Sequence, residues 1–206
     1  MTTINSISLA SKDPDASQHF IKEAFEAARS TLSTGVGTHL SDESSSGFRG
    51  FTLSLVVPGP SDVRALVESA LASGAKAIKE PTKSLWGFGA VVSAPDGTIW
   101  KIASSKKKDD GPTGRVDEIV LLLGVADVAA TKALYTEKGL TVAKSYGSKY
   151  VEFETGPSPV KLALYKRKAL AKDAGVDEAG TGSHRLVILA DTAFTDPDGF
   201  EWATSV

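Results

Sequence analysis

A seven-residue phrase that occurs twice constrains this chain more than any other feature. Ala94-Pro95-Asp96-Gly97-Thr98-Ile99-Trp100 returns as Asp196-Pro197-Asp198-Gly199-Phe200-Glu201-Trp202. Each copy is a Pro-Asp-Gly turn leading into a strand that carries a tryptophan. Internal repetition means that one structural unit is built more than once. The starts of the units correspond as well. Ile7-Ser8-Leu9-Ala10 runs into Asp13-Pro14-Asp15-Ala16, and Ile119-Val120-Leu121-Leu122 runs into Asp127-Val128-Ala129-Ala130. Asp15 and Asp127 lie 112 residues apart, but Pro95 and Pro197 only 102 apart. The second unit is therefore about ten residues shorter between these marks.

Between the units, Ser104 to Gly114 is polar, charged and broken by Gly and Pro, which reads as a linker. Its three lysines are offset by Asp109 and Asp110, so a solvated linker is favoured over an anion-binding patch. The first unit reads as a strand near 4–10, a helix near 14–29 and a turn-rich stretch at 33–47. Phe51 to Val56 alternates β-formers with small polar residues and reads as a strand. Val63, Leu66, Val67, Ala70 and Leu71 recur at i, i+3, i+4, i+7 and i+8, which predicts a helix ended by Gly74. Strands follow near 76–79, 87–93 and 98–103. The second unit reads as strand 116–123, helix 127–138 and strands 140–145, 149–154 and 160–165. A short polar helix is expected at 166–174, then a strand at 184–190 and a hairpin at 194–204. No room remains there for a counterpart of the helix at 61–73. The run Ile119-Val120-Leu121-Leu122-Leu123 is apolar on both faces, so helices must cover one side and something else the other. The inner side is expected to be a concave, largely apolar pocket.

Composition removes several classes of function. With no cysteine, disulfides, thiolate metal sites and a cysteine nucleophile are excluded, and a cytoplasmic location is the expectation. A net charge of −2 argues against a nucleic-acid partner. No apolar run is long enough to span a bilayer, so no membrane partner is expected. Met1 to Asn5 shows no basic region followed by an apolar core, so no signal peptide is read. The histidines are three: His19 and His39, expected to face solvent, and His184. Neither Gly35-Val36-Gly37 nor Gly87-Phe88-Gly89 leads from a strand into a helix, so nucleotide binding is unsupported.

Strand, Asp-x-x-Ala helix and Pro-Asp-Gly-x-x-Trp hairpin together resemble the vicinal oxygen chelate superfamily. Glyoxalase I, extradiol dioxygenases and bleomycin- and fosfomycin-resistance proteins belong to it. Thr52 to Ala103 resembles the second half of such a domain. Arg115 to Tyr165 resembles a first half, and His184 to Thr204 a shortened second half. The resemblance implies an α+β fold of tandem βαβββ-type repeats, forming cupped, mostly antiparallel sheets with helices on the outer faces. It implies a glyoxalase/bleomycin-resistance-like unit at 1–104 with its first half abbreviated, a linker at 105–114, and a second unit at 115–206 with its second half abbreviated. Sheet exchange between chains is common in the superfamily, so a homodimer is a further expectation.

Enzymes of this superfamily hold a divalent metal on the first and final strands of their modules. Carried over residue by residue, those positions fall at Ser6, near Thr52 and at Lys101 in the first unit. In the second they fall at Glu118, with His184 on a later strand; Ala203 follows Trp202, and Lys161 is the charged residue of strand 160–165. Three protein ligands are typical of a catalytic site, and only Glu118 and His184 qualify. No cofactor is therefore expected; the alternative is one divalent metal ion on Glu118 and His184. Glu118 reads as a ligand, a general base or a recognition carboxylate, or as an ion-pair partner of Arg185 or a lysine. His184 pairs with Glu118 or merely starts a strand. Trp86, Phe88 and Tyr150 are candidate walls for a small-molecule ligand, with core packing the competing reading for Trp86. Tyr150 and Tyr165 carry less weight than Trp86 and Phe88, and Trp100 and Trp202 read as core. The leading expectation is a metal-free small-molecule binding or sequestering protein with an apolar cup. The alternatives are a glyoxalase-like lyase or isomerase using Glu118 and His184, and a degenerate interaction or dimerisation module.

Overall fold

The repeated phrase folds the same way twice. In the first copy Gly97 N donates to Ala94 O (2.9 Å) and Ala94 N to Thr98 O (2.8 Å). In the second, Gly199 N donates to Asp196 O (3.0 Å) and Asp196 N to Phe200 O (3.0 Å). Both turns need a left-handed residue at the same place, supplied by Gly97 (φ 86°) and Gly199 (φ 84°). The computed structural model describes residues 2–85 and 87–205, the side chains of 29–31 excepted.

Four modules follow one another. The first is β1 (Ile4–Ser11), α1 (Pro14–Ala24), α2 (Arg29–Gly35) and β2 (Val36–Leu40). A short strand, β3 (Ser46–Gly47), leads to the second: β4 (Phe51–Val56), α3 (Pro60–Ala72), β5 (Lys76–Ser84), β6 (Gly87–Ser93) and β7 (Ile99–Ser104). The third is β8 (Glu118–Val125), α4 (Val128–Glu137), β9 (Thr141–Ser145), β10 (Tyr150–Glu154) and β11 (Val160–Lys166). After α5 (Arg167–Ala174) and β12 (Gly180–Thr181), the fourth is β13 (Leu186–Ala190), β14 (Phe194–Thr195) and β15 (Glu201–Thr204). The corresponding helices α1 and α4 have matching starts. Asp13 accepts from Ala16 N, and Asp127 from Ala129 N and Ala130 N, which satisfies amides the helix leaves free.

The two complete modules pair with each other, and so do the two shortened ones. The larger sheet has the order β5-β6-β7-β4-β8-β11-β10-β9, and the smaller β14-β15-β13-β1-β2. At the centre of the larger sheet β4 runs antiparallel to β8, with Leu53 opposite Leu121. Both sheets thus draw strands from either side of the 105–114 segment. That segment is tied down: buried Asp62 of α3 accepts from Thr113 N (2.7 Å) and Gly114 N (2.9 Å).

One core lies between the sheets, with α1 and α3 packed against each other inside it. Leu53, Leu55, Ile119 and Leu121 reach it from the larger sheet, and Ile7, Leu9 and Ile188 from the smaller. Trp100 and Trp202 are fully buried there, as their equivalent repeat positions predict. The first helix stops at residue 24 rather than 29, because the Phe25 backbone leaves the helix (φ −127°, ψ 41°) and its ring packs 4.7 Å from Trp100. Residues 30–50 are more ordered than their turn-rich composition suggests. Within them β2 pairs in parallel with β1, and His39 is half-buried with Nδ1 2.8 Å from Ser8 Oγ rather than facing solvent. No helix among the described residues is long and apolar enough to cross a membrane.

Candidate functional site

On the larger sheet, the inner face is the one opposite α3 and α4. Strand register sets its rows. Thr52 pairs with Leu122, and Leu122 with Ala163. In the next row Ser54 pairs with Lys101 and Val120, and Val120 with Lys161.

The first row lies under α5. Leu170, Ala171 and Ala174 pack with Val91, Ile99, Leu122, Ala163 and Phe48 in a second hydrophobic cluster. The approach is close because Gly124 lacks a side chain: a Cβ there would stand 3.0 Å from Gly50 O and 3.1 Å from Arg167 Cα. Arg167 fixes the start of α5. Its Nη2 donates to Phe48 O and Gly180 O, its Nε to Glu178 O (3.0 Å), and its guanidinium lies over the Phe48 ring. At the other end Asp173 pairs with Lys101, and Lys79 Nζ donates to Lys172 O (3.0 Å). The two-sided apolar run at 119–123 is thereby explained, but the expected apolar cup is not open. Thr52 is 2% exposed beneath α5, and its hydroxyl has no hydrogen-bond partner among the described residues.

Glu118 opens β8 at the uncovered end of this face, opposite Val56. It pairs with Lys161 and not with Arg185; both side chains of the pair are about 40% exposed. His184 belongs to a 3-10 turn, Ser183–Arg185, ahead of β13 in the smaller sheet. Its buried Nε2 has no hydrogen bond among the described residues and lies 3.6 Å from the Glu43 carboxylate. The structure does not bring Glu118 and His184 together. Ser6 sits on β1 and Ala203 on β15, again in the smaller sheet. Among the described residues no three His, Asp or Glu side chains converge as a metal set. With Lys101 and Lys161 beside Thr52 and Glu118, the donors on the inner face do not suit a divalent cation. Exposed pairs contribute little, so Glu118→Ala is expected to change unfolding free energy by less than about 1 kcal/mol in urea denaturation.

The proposed ligand walls divide. Phe88 faces the helices, not the inner face: it is buried in the main core with the Arg64 guanidinium 4.6 Å above its ring. Strand alternation sends its neighbours Gly89 and Val91 the other way. Tyr150 does lie on the inner face, 5.1 Å from Tyr165 and against the α5 cluster. Its hydroxyl donates to Glu152 (3.1 Å), and burial, then the Glu152 charge, push its phenol pKa up. Trp86 lies outside the described residues.

A cavity of about 840 Å³ lies elsewhere. It is bounded by the start of α1, the 43–49 segment, the turn at 95–96 and Arg185. Arg185 is 4% exposed; its Nη1 donates to Ser41 O (3.2 Å) and Glu43 O (2.7 Å), and its buried Nε has no partner among the described residues. Arg49 donates to Asp96 O and to Ser45 Oγ (3.3 Å). Burial lowers the Arg49 pKa; Asp96 opposes that shift and Arg185 adds to it. Sequence reasoning missed this pair, because no local pattern links residues so far apart in the chain. The β3–β12 ribbon joins them, pairing Gly47 with Gly180.

No family model and no curated protein matches the sequence. Solved structures do match in fold. Glyoxalase I from Zea mays is similar with a TM-score of 0.62 and 15% identity, over 98% of this chain and 91% of that one. A putative dioxygenase from Bacillus subtilis subsp. subtilis str. 168 is similar with a TM-score of 0.54 and 11% identity, over 96% of this chain and 71% of that one. What is shared is the arrangement of modules into sheets.

Proposed function

We propose that this chain, which has the vicinal oxygen chelate fold, is a metal-independent small-molecule binding or sequestering protein. The observation that carries the reading is α5 packed over Thr52, Leu122 and Ala163, on the face where a chelating site would have to assemble. The ligand then enters the cavity at Arg49 and Arg185 instead. Its volume of about 840 Å³ falls within the roughly 300–1,000 Å³ of small-molecule sites. A lyase would need Glu118, His184 and a third donor on one ion, yet Glu118 opens β8 of the larger sheet and His184 lies in the 3-10 turn that leads into the smaller one. A cytoplasmic location belongs to the same proposal, on the lack of cysteine.

Metal content decides between binding protein and lyase. After incubation with zinc, nickel, manganese and iron and then desalting, elemental analysis is expected to find no stoichiometric ion. About one tightly held ion per chain, lost in Glu118→Ala, would restore the lyase reading. The covered inner face also favours an interaction module, and Val187, Leu189 and Ala203 leave an apolar stripe half-exposed on the smaller sheet. A dimer by light scattering that Leu189→Lys splits would select that reading over the first.

A further inference from the structure

We infer that the cavity at Arg49 and Arg185 takes an anion, namely a small molecule bearing a carboxylate or a phosphate. The inference rests on the binding reading above and names its ligand class. Two guanidiniums border one cavity; the Asp96 charge acts on Arg49, but without an ion pair. Among the described residues no carboxylate forms an ion pair with Arg49 or Arg185. Among those residues Arg185 meets the carbonyls of Ser41 and Glu43, and its buried Nε has no partner there. Arg49 meets a carbonyl and a hydroxyl. A buried cation satisfied by neutral groups alone is costly, and an incoming anion removes that cost.

Two of the four carboxylates around the cavity, Asp13 and Asp96, are already engaged. Asp13 caps α1 through Ala16 N (2.9 Å). Asp96 accepts from Thr98 N (2.8 Å) and Thr98 Oγ1 (2.9 Å), holding its own turn. Glu43 is exposed and turns toward His184. Glu23 is exposed on α1, and Lys12 adds a positive charge at the rim. A guanidinium presents a planar fork of N–H groups that matches two oxygens of a carboxylate or phosphate. The hydroxyls of Ser44 and Ser45 can serve the remaining oxygens.

The test is an NMR titration of the whole ¹⁵N-labelled chain, at constant ionic strength held with sodium chloride. Inorganic phosphate and succinate are added in separate arms, which distinguishes the two anion chemistries. A set of uncharged fragments forms a third arm. The expected result is saturable shifts at Arg185 Nε and at the Ser45 and Asp96 amides in at least one anion arm. Because Arg185→Gln risks unfolding the chain, the variant is Arg49→Gln at the less buried guanidinium. It is expected to weaken binding about ten-fold or more, the scale of one charge-assisted hydrogen bond. Shifts that never saturate, or an unchanged affinity in Arg49→Gln, overturn the inference. Saturation by uncharged fragments but by neither anion sinks the anion and leaves the binding reading standing. No saturable response in any arm sinks both.

Discussion

Trp202→Ala is expected to lower the unfolding free energy by about 3–5 kcal/mol, read as a shift of the urea midpoint at unchanged slope. The side chain is 1% exposed, stacked on Phe194 (centroids 5.0 Å apart, 14° between planes) and edge-on to Tyr135 at 5.1 Å. Its removal empties a large volume that the two neighbouring rings cannot refill. The indole also ends a hydrogen-bonded chain. Trp202 Nε1 donates to the Tyr135 hydroxyl (3.3 Å), which donates to Asp196 Oδ2 (2.7 Å). Burial pushes the Asp196 carboxyl pKa up, and the backbone amides of Asp198 and Phe200 hold its other oxygen. Loosening Tyr135 therefore weakens the turn that carries the second repeat. Trp202→Phe keeps most of the packing and loses only the hydrogen bond, so it should cost nearer 1 kcal/mol beyond the smaller ring volume. A cost below about 1 kcal/mol for Trp202→Ala would mean that the C-terminal hairpin is not part of the core.

The same residues show what was legible in the sequence. Turns and helix starts depend on neighbours in the chain, so Gly97, Gly199, Asp13 and Asp127 announced their structures locally. Trp100 and Trp202 were legible as core because repetition placed them equivalently. Pairing was harder. A repeat suggests that each unit closes on itself, whereas β4 finds β8 across the linker. α5 read as polar because Arg167, Lys168, Lys172 and Asp173 dominate its composition; only contact with the sheet reveals that Leu170, Ala171 and Ala174 form its buried stripe. The candidate site was the least legible part. Glu118 was visible as a charge in an apolar strand, yet its partner Lys161 comes from the parallel neighbour β11. Arg49 sits in a loop and Arg185 in a single 3-10 turn, neither with periodicity, and they meet through tertiary structure.

Leu170→Ala is the second large effect, at about 2–5 kcal/mol by the same urea measurement, accompanied by a rise in fluorescence of an apolar dye. An eight-residue helix is too short to persist alone in water, so α5 exists because it docks. Leu170 is 1% exposed and is its largest apolar anchor, lying across Gly124 where the two backbones come closest. Without that anchor, Arg167 and Asp173 hold only the ends, and the Asp173–Lys101 pair is too exposed to hold its end firmly. Opening α5 would uncover Val91, Ile99 and Leu122 together, a contiguous apolar surface of the kind such dyes report. It would also give water access to the unpartnered Thr52 hydroxyl, so part of the packing loss is returned. If Leu170→Ala instead leaves both stability and dye binding unchanged, α5 is not docked in solution. The inner face would then be open in the native protein, and the apolar cup would displace the arginine-lined cavity as the place to look for a ligand.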